Sequence, residues 1–256
     1  MRAVLLAAGV GKRLKPYTDE RPKCLVEISG RSLLHRHLDT LSLFDALEGI
    51  DIVVGYRHDQ IRDAVAIWKD TTKSAFPVRF HMNERFTEGS ILSLYAARDT
   101  IRQTDAVIMD ADVLYPREVM RRLIESDSKN AFLIDEVAEE SGEEMMVCCL
   151  EGRAMHIARS HDPSTHTGWD HKGEGVGFFR LDHQEAGELL TIIEEEIANG
   201  NATAEYEVAL ARFMKEHVCG YEQIGDLPWT EIDFSEDIVK AEADILPAIE
   251  AFEAAQ

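Results

Sequence analysis

The first 25 residues constrain the fold more than any other stretch. Residues 3–8 are apolar, Gly9 ends the run, and Gly9-Val10-Gly11-Lys12-Arg13-Leu14 follows directly. A short apolar run cut off by glycine reads as a buried strand. Gly9 and Gly11 lack Cβ, so the loop can reach positive φ and bring its N–H groups close to a ligand. Free N–H groups beside two cations, Lys12 and Arg13, form a concavity suited to a polyphosphate. Pro16 and Pro22 restrict the following chain and return Lys23 to the same mouth. The competing reading is an ordinary strand–turn–helix start with exposed basic residues.

Spacing excludes two phosphate loops. A P-loop needs glycine five residues before its Gly-Lys pair and Ser or Thr after it, where this chain has Leu6 and Arg13. A dinucleotide fingerprint needs a third glycine where Leu14 stands.

Downstream, strands alternate with helices. Ser32 caps a helix with Leu34, Leu38 and Leu41 on its apolar face, and His35 and His37 on it read as surface or packing histidines. Strands are expected at 51–56, 77–83, 105–112 and 130–137, and helices at 59–69, 90–100 and 116–125. This order implies an α/β chain: a Rossmann-like three-layer α/β/α fold with a mixed, mostly parallel central sheet. Ligands of such sheets lie outside the strand carboxyl ends, where the glycine loop, Gly89-Ser90 and Asp110/Asp112 fall. From residue 145 the strands come closer together, at 145–150, 154–160 and 176–182. A polar loop at 162–173, a candidate lid, lies between the last two. Helices follow at 183–199 and 206–217, a late strand at 229–234, and a last helix at 235–255 with Pro247 as a kink. With no repeat or linker, the expectation is one unit over 1–256, with a nucleotide-binding half (1–140) and an acceptor-binding half (141–256).

Asp110-Ala111-Asp112 ends an apolar strand, and alternation sends both carboxylates to one face. Two carboxylates facing a phosphate loop suit Mg²⁺, a hard cation that prefers oxygen. The formal charge of -21 argues against nucleic acid or an anionic membrane surface as partner. No run approaches a transmembrane length, and the apolar start is too short for a signal peptide. The four cysteines show no CxxC spacing and read as reduced, buried thiols of a cytoplasmic protein.

Leu6-Ala7-Ala8-Gly9-Val10-Gly11-Lys12-Arg13-Leu14, Pro16 and Pro22-Lys23-Cys24-Leu25 resemble the signature of nucleotidyltransferases that activate phosphorylated small molecules with an NTP. Asp110-Ala111-Asp112 and Trp229-Thr230-Glu231-Ile232-Asp233 resemble the phosphocholine and aminoethylphosphonate cytidylyltransferase branch. The resemblance implies Mg²⁺ held by Asp112 and Asp233, with Asp110 beside the nucleotide. Lys23 and Arg13 would be the catalytic cations, and Leu6, Ala7, Ala8, Gly9, Gly11 and Lys12 would cradle the nucleotide. Asn83, Gly89 and Ser90 correspond to positions where relatives read the base, a loose match that supports CTP. Glu174 and Gly177, in the Gly173–Phe178 segment, and Tyr206 and Glu207 match acceptor-side segments. Tyr115, Trp169, Tyr206 and Trp229 are candidates for an aromatic cage around a quaternary ammonium. Where the choline branch carries an aromatic, this chain has Glu143-Glu144-Met145-Met146-Val147, which points away from choline itself. Glu144 and Glu207 suit a primary ammonium, as in 2-aminoethylphosphonate or phosphoethanolamine, and equally the hydroxyls of inositol phosphate or a sugar 1-phosphate. The implied partners are CTP and a small phosphorylated or phosphonate acceptor, in a monomer or homodimer. A sugar-1-phosphate nucleotidyltransferase and a non-catalytic nucleotide-binding module are the alternatives.

Overall fold

The computed structural model describes residues 1–137, 142 and 144–256. Its strands in chain order are β1 (Arg2–Ala7), β2 (Glu27–Ile28), β3 (Arg31–Ser32), β4 (Ile50–Val54), β5 (Val78–Met82), β6 (Ala106–Asp110) and β7 (Val113–Leu114). The later strands are β8 (Asn130–Asp135), β9 (Met145–Leu150), β10 (Arg153–Arg159), β11 (His171–Leu181), β12 (Cys219–Gln223) and β13 (Thr230–Glu231). Its helices are α1 (Leu33–Leu41), α2 (His58–Thr72), α3 (Ser90–Ala96), α4 (Arg98–Gln103), α5 (Arg117–Ile124), α6 (Ala186–Ala198), α7 (Glu207–Phe213), α8 (Ser235–Lys240) and α9 (Leu246–Ala254).

Among the described residues, nine strands form one sheet in the order β5-β4-β1-β6-β11-β8-β12-β10-β9, and β11 also pairs with β9. The first four run parallel, as strand–helix alternation requires. Beyond β6 the expectation of a mostly parallel sheet fails. Antiparallel pairs join β11 to β6, β8 and β9, and β10 to β9 and β12; only β8 and β12 are parallel there. The closer strand spacing after residue 145 reflects this antiparallel, partly closed section, because antiparallel neighbours need no helical crossover.

Helices cover both faces of the parallel half. Along β1, Ala3, Leu5 and Ala7 pack with α1, α2 and α5, while Val4 packs with α3, α4, α6 and α7. A third core joins Leu14, Val26, Ile28 and Leu33 to Leu114, Ile232, Ile238, Leu246 and Ile249. It clamps the N-terminal loop against the C-terminal helices and brings residues 233 and 23 together. Ser32 caps α1 as expected, its Oγ accepting from His35 N at 3.2 Å.

Several element expectations need correction. The helix over 90–100 is two, α3 and α4, with Ala97 between them. β11 starts at His171, so the loop over 162–173 is shorter, and its residues 163–165 form a 3₁₀ turn. The late strand is only Thr230–Glu231. The last helix is interrupted by a π turn over Ala241–Ile245, and Pro247 lies in the first turn of α9. Proline's missing N–H breaks the regular ladder there. β12 had no forecast, although it fills the sheet between β8 and β10. Residues 138–141 and Glu143, and with them the expected boundary between halves, lie outside the described residues.

Candidate active site

Gly11 adopts the left-handed conformation, φ 66°, ψ 46°, and opens a 3₁₀ turn over Lys12–Leu14. A Cβ there would lie 3.0 Å from both Lys23 Cβ and Thr18 Cγ2. The glycine therefore admits the returning chain, and Thr18 Oγ1 donates to Gly11 O at 2.7 Å to fasten it. Lys23 arrives at the mouth of the loop, as expected.

The opposing wall comes from pairing of β7 with β13. Thr230 faces Leu114, Glu231 faces Val113, and Ile232 N donates to Asp112 O at 3.0 Å. Buried Ile232 points to the core, so Glu231 and Asp233 point the other way by alternation. Asp237 accepts from Asp233 N and Phe234 N at 2.8 and 2.7 Å, which fixes the backbone at Asp233.

Four charged groups meet here. Lys23 Nζ donates to Asp112 Oδ2 at 2.5 Å and to Asp233 Oδ1. Arg13 donates to Asp233 Oδ2 at 2.5 Å, with its guanidinium 5.2 Å from the Phe234 ring centroid. The side chains of Lys23, Asp112 and Asp233 are 15%, 19% and 17% exposed, so the ion pairs are largely withdrawn from water. Burial works against the Lys23 charge, but Asp112, Asp233 and Glu231 outweigh it and raise the ammonium above its ordinary value. Carboxylate oxygens of Asp112, Glu231 and Asp233 lie within 4.8 Å of one another. Asp112 Oδ1 is buried with no hydrogen-bond partner. Loss of water, then the Asp112 and Asp233 charges, push the Glu231 carboxyl up to about 8, although the residue opens onto the cleft. An unused buried oxygen within a set of hard donors fits a Mg²⁺ ion. Glu231 is the member that sequence reasoning left out, although its period-two relation to Asp233 across Ile232 was readable.

A cleft of about 640 Å³ extends from this cluster, lined in part by residues 174–179 of β11. Between its pairings to β8 at Gly175–Ile134 and Phe179–Phe132, β11 carries two extra residues. This bulge sets Gly177 at φ 77°, where a Cβ would lie 2.7 Å from Asp110 Oδ2. Asp110 and Asp112 do not share partners, because β6 stops at Asp110 and residues 111–112 form a turn. Asp110 Oδ2 accepts from Tyr206 Oη at 2.9 Å. Burial, then the Asp112, Glu207 and Glu231 charges, raise its carboxyl well above the usual range. Burial also lifts Glu207 to about 7, and burial with Glu144 and Asp135 lifts Glu174 to about 7.

Arg13, Asp110, Glu144, Glu174, Gly177, Tyr206, Glu207 and Asp233 all line this cleft. Leu6, Ala7, Gly9, Lys23 and Asp112 line a smaller neighbouring cavity with Cys24 and Ala111. Ala8 is buried, its carbonyl accepting from Tyr56 N at 3.1 Å, and Lys12 is exposed on the loop. Asn83, Gly89 and Ser90 line neither cavity. Asn83 Nδ2 donates to Ser93 Oγ at 3.0 Å, Gly89 packs against Thr203 and Ala204, and Ser90 Oγ accepts from Tyr206 N at 2.9 Å. Two cage candidates sit elsewhere. Tyr115 is core, edge-on to Phe178 at 4.9 Å with its hydroxyl 3.1 Å from His37 Nδ1. Trp169 closes its own loop, donating to Ser164 O at 2.8 Å and stacking on His156. Trp229 does line the cleft, with Nε1 donating to Asp135 Oδ2 at 2.8 Å. Arg159 and Lys240 also line it, and neither had a distinguishing sequence signal.

No helix among the described residues is long and apolar enough to cross a membrane. The chain is 28% identical over 242 residues, 93% of its length, to the bifunctional IPC transferase and DIPP synthase of Aquifex aeolicus, and covers 50% of that protein. It is 30% identical over 113 residues to the choline-phosphate cytidylyltransferase of Streptococcus pneumoniae, 44% of each chain. The chain thus spans about half the length of these curated relatives. Its fold superposes on the inositol-1-phosphate CTP transferase of T. maritima with a TM-score of 0.76 at 17% identity, covering 97% of this chain and 96% of the other. Residues 3–174 match the model of the MobA-like NTP transferase domain, and the chain belongs to that family.

Proposed function

We propose that this chain is a cytidylyltransferase that joins CTP to a small phosphorylated or phosphonate acceptor carrying an amine, releasing pyrophosphate. The observation that carries the acceptor class is the excess of carboxyls in the cleft. Glu174, Glu144 and Asp135 repel one another at one wall, and Asp110, Glu207 and Glu231 do so at another. Carboxyls outnumber the cations Arg13, Arg159 and Lys240 in the cleft lining, and such a surplus of acid suits an ammonium group. The CTP-using relatives support the choice of nucleotide.

In this reading an acceptor phosphate or phosphonate oxygen attacks the α-phosphorus. A bond forms there as the bond from the α-phosphorus to the oxygen of the departing pyrophosphate breaks. The nucleophile is anionic at neutral pH, so no side chain need remove its proton. Catalysis is alignment and charge neutralisation. Lys23 and Arg13 contact the phosphates, the loop at 9–13 offers N–H groups, and Tyr206 holds Asp110 toward the acceptor. Asp112, Glu231 and Asp233 would hold Mg²⁺, which, when bound, neutralises phosphate charge.

A polyol phosphate acceptor is the second reading. It is favoured by the raised Glu174 and Glu207 carboxyls, which as neutral acids donate as well as accept hydrogen bonds to hydroxyls. Both readings are tested by pyrophosphate release across CTP, UTP, GTP and dTTP against 2-aminoethylphosphonate, phosphoethanolamine, phosphocholine, inositol 1-phosphate and glucose 1-phosphate. Turnover with CTP and an amine-bearing acceptor is expected. Turnover only with inositol 1-phosphate selects the second reading, and no turnover with CTP overturns both.

A further inference from the structure

Lys23 occupies a position that the reaction alone does not require. Its ammonium bonds to both Asp112 and Asp233, and Arg13 takes the other oxygen of Asp233. The two phosphate-binding cations are thus bonded to the carboxylates that fit a metal. The backbone under Lys23 is fixed: it opens a 3₁₀ turn over Lys23–Leu25, and its Cβ packs against the space left by Gly11. Only the long side chain is free to change partner.

We infer that Lys23 is an internal counter-ion competing with the divalent cation for Asp112 and Asp233, so that metal and nucleoside triphosphate enter as a coupled pair. This rests on the reading of the site given above. The carboxylates of Asp112 and Asp233, with the Glu231 carboxyl beside them, face two cations in the ligand-free protein. A metal bonding to the same two carboxylates weakens their hold on the ammonium, which then needs an anion. A triphosphate in the loop at 9–13 supplies that anion and, by drawing Lys23 away, frees the carboxylates. Each ligand therefore strengthens the other by the same factor, as linkage demands.

The test uses Mn²⁺ alone, titrated by electron paramagnetic resonance at low ionic strength into the wild type, Lys23→Met and Lys15→Met. Lys15 pairs with exposed Asp19 at 2.9 Å and controls for the loss of one charge from the same loop. Lys23→Met is expected to bind Mn²⁺ at least about tenfold more tightly than wild type, because a cation adjacent to the binding carboxylates is gone. Lys15→Met is expected to match the wild type. Unchanged or weaker binding by folded Lys23→Met overturns the inference, as does equal tightening in Lys15→Met.

A second measurement does not depend on that variant. With EDTA present, tripolyphosphate should bind Asp233→Asn about tenfold more tightly than wild type, since Lys23 and Arg13 both lose the charge of the Asp233 carboxylate, and more tightly than Asp59→Asn, which removes an exposed acid elsewhere. Equal binding by all three overturns the inference. Neither measurement reads turnover, so the coupling can hold where the proposed reaction fails, and the reverse.

Discussion

Gly177 shows how one residue sets the shape of the cleft proposed for the acceptor. It sits in the β11 bulge at φ 77°, and its missing Cβ leaves room for the Asp110 carboxylate that Tyr206 holds. Gly177→Ala therefore strains the backbone and displaces Asp110 together. The expected loss of stability is about 1–2 kcal/mol by thermal or denaturant unfolding. In kinetic assays the acceptor KM should rise while the KM for the nucleotide stays near wild type, because Gly9, Gly11 and Lys23 lie on the other side of β6. A rise in both would place Gly177 outside the acceptor wall. The same scale shows why two aromatics were misread. Tyr115 and Trp169 have the right chemistry for a cage, but Tyr115 points into the core beside His37, and Trp169 bonds within its own loop. Residue type declares what a side chain can bind, and long-range packing decides whether it reaches the cleft.

At the scale of elements, legibility followed the range of the interactions. The β1 strand, the glycine loop, the Ser32 cap, the apolar face of α1 and the position of α2 rest on local pattern, and all were readable. The carboxylates of Asp112 and Asp233 were readable as a pair only through resemblance, because the β7–β13 pairing that joins them spans more than a hundred residues. The late strand itself is only Thr230–Glu231, shorter than its expected span, because its pairing with β7 covers two residues. The reversal of direction at β11 was hidden for another reason. Strand–helix alternation in the first half implies parallel neighbours, but nothing in a strand's own composition states which neighbour it will pair with. β12 had no forecast because Cys219–Gln223 is short and carries a glycine and two polar residues, which hide a strand pattern. The third carboxylate, Glu231, needed only the alternation across Ile232.

At the scale of the whole molecule, the formal charge of -21 is concentrated usefully. Glu174 and Glu207 are raised from 4.5 to about 7, and Glu231 to about 8, burial being the first cause for each. The fold thus favours their protonated forms. Their contribution to stability is full below about pH 4.5 and is lost as pH rises through 7 to 8. Carboxylates depressed by their hydrogen bonds, such as Glu118 and Glu196, act in the opposite sense and lose their contribution only in acid, at and below the ordinary range of 4.5. The ligand-free protein should therefore lose thermal stability between about pH 4.5 and pH 8. Glu174→Gln should raise Tm at pH 8.5 by about 2–4 °C and leave it unchanged at pH 5. An equal shift at both values would remove Glu174 titration as the cause. The same surplus of acid makes Lys23 and Arg13 conspicuous, since they carry positive charge directly against the carboxylates of Asp112 and Asp233. The central claim is that these cations and the carboxylates around them act on one nucleotide. The most direct measurement is Mg²⁺-dependent pyrophosphate release from CTP with the best acceptor, for wild type, Lys23→Ala and Asp112→Asn, with circular dichroism to verify folding. Each variant should keep its fold and lose turnover by at least about 100-fold, whereas near-wild-type turnover in either folded variant would contradict the account.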